Sequence, residues 1–261
     1  MKPQSLPTST AHTFGQTVAL LGAIASTAMA QTAPSAEPVP VIAIVKVAKP
    51  WYAPKALVVS KMRDTIPQYA RLSGLSFKAF SFEQSSSAYG GIYFWQNASS
   101  AQAWFSPAWH ARVKQERGSD ADVRFLEAPL SIDNTPGGTP ANSDSTAVAT
   151  VVQIGVPAGI SRERLVSEFL AAVPTYQKVP GLLRKHFTLS APDAATTTFG
   201  GVYLWKDAAS AQAWFNEAWH QRVKKTYGQE AVVEWFDTPI LLPTQDAANA
   251  PLPSTFRIAT P

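Results

Sequence analysis

The chain contains no cysteine. That excludes disulfides, thiolate catalysis, cysteine-ligated zinc and iron–sulfur clusters. Charge is also scarce: 15% of the 261 residues are Asp, Glu, Lys or Arg, against roughly 25% in an average soluble protein. Such a chain, 46% apolar, is not a charge-rich disordered protein. The net charge of +4 is spread along the sequence with no Lys/Arg block, so nucleic acid is not an expected partner. Phosphate-binding glycine loops, HExxH and serine-nucleophile elbows are missing as well. Only one long apolar run occurs, Val18–Ala25, and it falls short of the roughly 20 residues that span a bilayer. It follows Lys2 and closes on Ala28-Met29-Ala30, so residues 1–30 are expected to be an export signal cleaved before Gln31. The expected location is periplasmic or secreted, with no membrane association after cleavage. What the chain has in excess is tryptophan and proline, 8 and 21 residues.

The decisive feature is an internal repeat. Gly90-Gly91-Ile92-Tyr93-Phe94-Trp95 returns as Gly200-Gly201-Val202-Tyr203-Leu204-Trp205. Ser100–Phe105 returns as Ser210–Phe215, Ala108-Trp109-His110 as Ala218-Trp219-His220, and Pro129 as Pro239, all 110 positions on. Upstream the offset is 107, pairing Tyr69 with Tyr176, Lys78 with Lys185 and Phe80 with Phe187. The second copy thus carries three extra residues in a loop, where length is tolerated. The expected organisation is a Pro-rich tether (31–40), a first repeat (41–134), a linker (135–147), a second repeat (148–243) and a disordered tail (244–261).

Each copy reads as β-α-β-β-α-β. In the first copy these are Val41–Val47, a helix over Lys55–Tyr69, strands Gly74–Glu83 and Gly90–Gln96, a helix capped by Asn97, and Val123–Ile132. The capped helix is expected to run past Trp104 to Lys114. That order is a ferredoxin-like unit, an α+β fold with helices on one face of an antiparallel sheet. The strands are apolar on both faces, so the uncovered face needs a partner. Two tandem ferredoxin-like repeats are therefore expected to pack sheet to sheet as an intrachain pseudo-dimeric α+β barrel, and the chain to be monomeric.

Strand alternation puts Gly91, Tyr93 and Trp95 on one face and Ile92 and Phe94 on the other. The first face is identical in the second copy (Gly201, Tyr203, Trp205), while the other drifts to Val202 and Leu204. An unchanging Tyr/Trp face is either a demanding aromatic core or one wall of a pocket. Trp104, Trp109, Trp214 and Trp219 extend it. His110 and His220 stand beside those tryptophans, and a neutral imidazole there is a candidate general base or a helix-end hydrogen-bonding group. Lys78 and Lys185, mid-strand, either face the pocket and bind an anionic substrate or, the favoured reading, snorkel to water. No metal ligand set and no cofactor is assigned.

The run GGIYFW…SSAQAWF…WHARVK, with Gly74-Leu75-x-x-Lys78-x-Phe80 and Pro180-Gly181 upstream, resembles the YdhR-type monooxygenase family of the dimeric α/β-barrel superfamily. Members are mostly single-repeat chains that dimerise, and this chain resembles a fused version. The resemblance implies that fold and, by analogy, an oxygenase. Joined with the aromatic cluster it gives an expected cofactor-independent monooxygenase acting on a small phenol- or quinol-like aromatic. Catalysis would rest on His110 and His220, with the Tyr, Trp and Lys residues above binding substrate. The alternative is a non-enzymatic binding or stress module for an aromatic or haem-like ligand.

Overall fold

A computed structural model describes residues 38–248 apart from residues 51, 87 and 195. The expected signal, most of the tether, Trp51 and the tail beyond 248 lie outside the described residues. The first repeat contains β1 (Val41–Val47), α1 (Lys55–Asp64), α2 (Ile66–Ala70), β2 (Leu75–Glu83), β3 (Tyr89–Trp95), α3 (Ala98–Trp104), α4 (Pro107–Arg117) and β4 (Asp122–Asp133). The second contains β5 (Val148–Gly155), α5 (Arg162–Tyr176), β6 (Leu182–Ser190), β7 (Thr198–Trp205), α6 (Ala208–Trp214), α7 (Glu217–Tyr227) and β8 (Val232–Pro243). All eight strands are antiparallel and form one closed barrel in the order β1-β3-β2-β8-β5-β7-β6-β4. This is the α+β double ferredoxin-like barrel that the repeat predicts.

Closure depends on the two matched prolines. The first half of β4 pairs with β1 and its second half with β6 of the other repeat. Leu126 and Glu127 pair with both, and the β4–β6 ladder then shifts register between Glu127 and Leu130, across Pro129. Likewise β8 leaves β5 for β2 around Pro239. Proline has no N–H to give a ladder, so it marks the bend at which a strand changes partner. Two equivalent ion pairs tie each leading helix to the other repeat's last strand: Lys55–Asp237 at 2.5 Å and Arg162–Glu127.

Alternate residues on each strand serve two cores. Ile42, Ile44, Phe77, Ile92, Phe94, Val151, Val202, Leu204 and Phe236 point into the barrel. Fully burying each such side chain contributes roughly 1.5–3 kcal/mol. Their neighbours Val45, Tyr93 and Trp95 face the helices in the first repeat, as Val152, Tyr203 and Trp205 do in the second. The Tyr/Trp face is thus the helix-facing side of the sheet.

Three local expectations are corrected. The helix begun by Asn97, whose side chain accepts from Ser100 N at 2.8 Å, does not run on to Lys114. It stops at Phe105, which drops its ring into the core, and Ser106 caps a new helix. Asp207, Phe215 and Asn216 repeat the arrangement. The helix expected over Lys55–Tyr69 breaks at Thr65, whose hydroxyl donates to Met62 O at 2.7 Å. Such a bond competes with the helix ladder, and Pro67 two residues on has no N–H to restore it. In the second repeat Ala172 stands at Thr65's position, and α5 continues through Pro174. The expected tail does not begin at Thr244. Thr244 is buried, its N–H donates to Ser76 O at 3.2 Å, and Asp246 accepts from Gly74 N at 2.7 Å.

Candidate functional site

The helix-facing side of each sheet buries a lysine. Lys78 sits mid-strand on β2, opposite Tyr93 of β3. Lys185 sits equivalently on β6, opposite Tyr203 of β7. Both are only 2% exposed, so the snorkelling expected for them does not occur: the stems run inward, under the helices. Lys78 Nζ donates to Tyr93 Oη at 2.8 Å, and Tyr93 Oη to Tyr69 Oη at 3.4 Å. In the second repeat Lys185 Nζ donates to Tyr203 Oη at 2.7 Å, with Tyr176 Oη 3.5 Å further on. Three rings surround each amine. Lys185 Nζ lies 3.2 Å from the Tyr176 centroid, 4.1 Å from Phe187 and 4.4 Å from Tyr203, and Lys78 has the same cage.

The double glycine makes this possible. A Cβ on Gly90 would lie 2.1 Å from Val45 O, so that glycine permits close approach of β1 and β3. A Cβ on Gly91 would lie 2.9 Å from Lys78 Cε and 3.1 Å from the Tyr93 ring. On Gly201 it would lie 3.3 Å from Lys185 Cε and 3.0 Å from the Tyr203 ring. The second glycine of the motif is the slot in which the lysine stem and tyrosine ring pass.

Burial sets the proton affinities. It pushes both lysine amines well below the usual lysine value and both partner phenols, Tyr93 and Tyr203, well above theirs. Tyr69 and Tyr176 are raised for the same reason, with partial relief from their tyrosine hydrogen bonds. No carboxylate pairs with either lysine among the described residues. Desolvation without a counter-ion disfavours the charged form, so each site favours a neutral amine beside a neutral phenol. A neutral amine has a lone pair free to take a proton or attack an electrophile.

In the second repeat a cavity adjoins this cluster. It has a volume of 160 Å³ and lies between α5, α7 and the sheet, lined by Lys185, Tyr203, Tyr176, Phe187, Phe169 and Trp219 among others. Glu168, Ala172 and Tyr227 stand at its helix side. The volume is close to the roughly 150 Å³ apolar cavity that accepts benzene in an engineered protein.

Of the residues singled out in the sequence, Lys185, Tyr203 and Trp219 line this cavity. Trp205 lies beneath, fully buried, stacked on Tyr203 at 5.8 Å with Nε1 donating to Thr150 Oγ1 at 3.1 Å. Trp214 backs Tyr176 at 5.4 Å. Tyr93, Trp95, Trp104, Trp109 and Lys78 form the matching cluster of the first repeat. His110 and His220 are not brought into these clusters. Each is half-buried on its helix, edge-on to the preceding tryptophan at 5.0 and 4.9 Å, and His220 does not line the cavity. One helical step turns them away from the face on which Trp109 and Trp219 pack inward. Tyr69 and Tyr176 complete the clusters without belonging to the GGxYxW or WH motifs. Their sequence signal is the 107-residue correspondence. Among the described residues no group of three His, Asp or Glu side chains could hold a metal ion.

Residues 151–248 match the family described as "Putative mono-oxygenase ydhR". No curated protein matches the chain. A crystal structure named as a putative monooxygenase from Fusobacterium nucleatum superimposes with TM-score 0.55 at 10% identity, over 79% of this chain and 95% of that one. One so named from Lactobacillus acidophilus gives 0.52 at 11%, over 78% and 96%. A protein named anthrone oxidase-like gives 0.54 at 9%, over 82% and 96%. Coverage of that extent exceeds either repeat alone, so the shared fold is the two-repeat barrel. The second repeat thus matches the ydhR-type mono-oxygenase family model, and the first carries the same motifs within one tandem ferredoxin-fold chain.

Proposed function

We propose that this chain is an exported, cofactor-independent monooxygenase for a small phenol- or quinol-like substrate, with Lys185 rather than a histidine as its base. The observation that carries the proposal is the buried Lys185–Tyr203–Tyr176 chain on the wall of a single-ring cavity. A phenol seated there gives its proton to Lys185 Nζ, and Tyr203 Oη accepts a hydrogen bond from the ammonium formed. The surrounding rings exclude water, leaving the phenolate without the solvation that would quench it. The phenolate then passes an electron to dioxygen, and the radical pair recombines at the para carbon. Loss of water gives the quinone: one oxygen atom enters the substrate and the other leaves as water, with the two hydrogens the substrate gives up. The family description and the fold shared with an anthrone oxidase-like protein support the reaction class.

Oxygen uptake with a panel of phenols and hydroquinones tests it. Lys185→Met is expected to lower turnover by about 100-fold, the scale of a lost general base. The His110→Ala, His220→Ala double variant is expected to keep it. Absence of uptake by the wild type would overturn the proposal. Export follows from the Ala28-Met29-Ala30 signal, and a mature amino terminus near Gln31 in a periplasmic or secreted fraction checks it. A single-chain barrel should sediment as a monomer; an obligate dimer would contradict that.

A further inference from the structure

We infer that Lys185 also captures small single-ring aldehydes and ketones covalently, as an imine, in the second-repeat cavity. This rests on the geometry of the pocket and not on the oxygen chemistry. Four observations converge. Lys185 and the three rings around its amine line a cavity of 160 Å³, space for one aromatic ring. No carboxylate holds that amine as an ammonium among the described residues, and burial disfavours the charged form. Tyr203 Oη stands 2.7 Å from Nζ, held neutral by its own burial. Aromatic rings enclose the amine, so water competes poorly for a bound carbonyl.

The step balances without an oxidant or reductant. The Nζ lone pair attacks the carbonyl carbon, the C–O π bond opens, and a proton moves from nitrogen to the oxygen, giving a carbinolamine. Tyr203 Oη then protonates the hydroxyl, the C–O bond breaks, and water leaves. The C=N bond forms as nitrogen gives up its second proton, which restores the tyrosine. Aldehyde plus amine becomes imine plus water. A desolvated lysine in an apolar pocket is the form of this side chain suited to such chemistry.

Reductive trapping tests the inference on the whole chain. The protein is incubated at neutral pH with benzaldehyde and cyanoborohydride, digested, and mapped by mass spectrometry. One benzyl group is expected on Lys185, at a level about ten-fold or more above any exposed lysine, because an exposed amine is neutral in only about one molecule in a thousand there. Tyr203→Phe is expected to slow labelling several-fold while leaving Lys185 the labelled residue. Lys185→Met is expected to abolish the specific label. Labelling confined to surface lysines such as Lys61 and Lys114 in the wild type would overturn the inference, and that result needs no variant to fold. Oxygen uptake can fail while the imine forms, or the reverse, so the two proposals fall separately.

Discussion

The two repeats keep the same lysine, the same two tyrosines and the same glycine slot, yet differ in the residues around them. Where the second repeat has Phe169, Glu168, Phe199 and Tyr227 around its cavity, the first has Met62, Lys61, Tyr89 and Arg117 at the matching positions. Arg112 and Arg117 act on Tyr69 of the first site, whereas Arg222 acts on Tyr176 of the second. The second cavity has a carboxylate at its helix side instead. A buried amine without a counter-ion costs stability wherever it stands. Both repeats hold that cost while the flanking charges changed, so the Lys–Tyr–Tyr chain is what the two sites share and the walls are what differ. It also shows what fusion permits. Arg124 and Glu234 occupy equivalent positions and pair with each other across the barrel end. Two identical subunits would oppose like charges there.

The largest effect on this comparison is expected from the slot. Gly91→Ala and Gly201→Ala should each lower the unfolding free energy by about 1–3 kcal/mol, the scale of overpacking in a filled core. Denaturant titration would show it, and equal losses would confirm that both repeats depend on the slot. A loss at one repeat only would break the equivalence.

The next effect concerns acid. His186 stands inside the barrel where the first repeat has Ala79. Its ring lies 4.5 Å from Phe94, its Nε2 is shielded without a partner, and burial, with Arg184 adding to it, lowers its pKa to about 3. Below the ordinary histidine value of about 6.5 the unfolded chain takes up a proton that folded His186 refuses. Stability should therefore fall as pH drops from about 6.5 toward 3, by up to about 1.4 kcal/mol per pH unit. His186→Gln should flatten that limb in melts followed across the window. An unchanged limb would place the acid sensitivity elsewhere.

A smaller difference lies under the tyrosines. Trp205 Nε1 bonds Thr150, but Trp95 Nε1 has no partner because Ala43 stands at Thr150's position. Thr150→Ala should cost about 1 kcal/mol by orphaning a buried donor. Ala43→Thr should move the first repeat the other way. Thermal melts of the two variants are expected to shift in opposite directions. The smallest effect is expected at Arg124 and Glu234. A double-mutant cycle with Arg124→Gln and Glu234→Gln should give a coupling of about 0.5–1 kcal/mol that shrinks with salt, because both groups keep some solvent contact.

The sequence by itself determined the architecture. Repeat spacing located eight strands, and apolar character on both strand faces required a partner sheet. It also singled out Gly91, Tyr93, Lys78 and their counterparts, because alternation assigns a face to each strand residue without knowing the neighbours. Only the tertiary structure decided where those side chains lie. A lysine in a strand reads equally as snorkelling or buried until the helix above it is placed. Tyr69 and Tyr176 join the amine through a contact between distant elements that no local period encodes. His110 and His220 lie one position from inward-facing tryptophans in sequence, but one helical step carries them off that face. Proximity along the chain recommends the histidines, whereas the proposed base, Lys185, is buried by packing between a helix and a sheet.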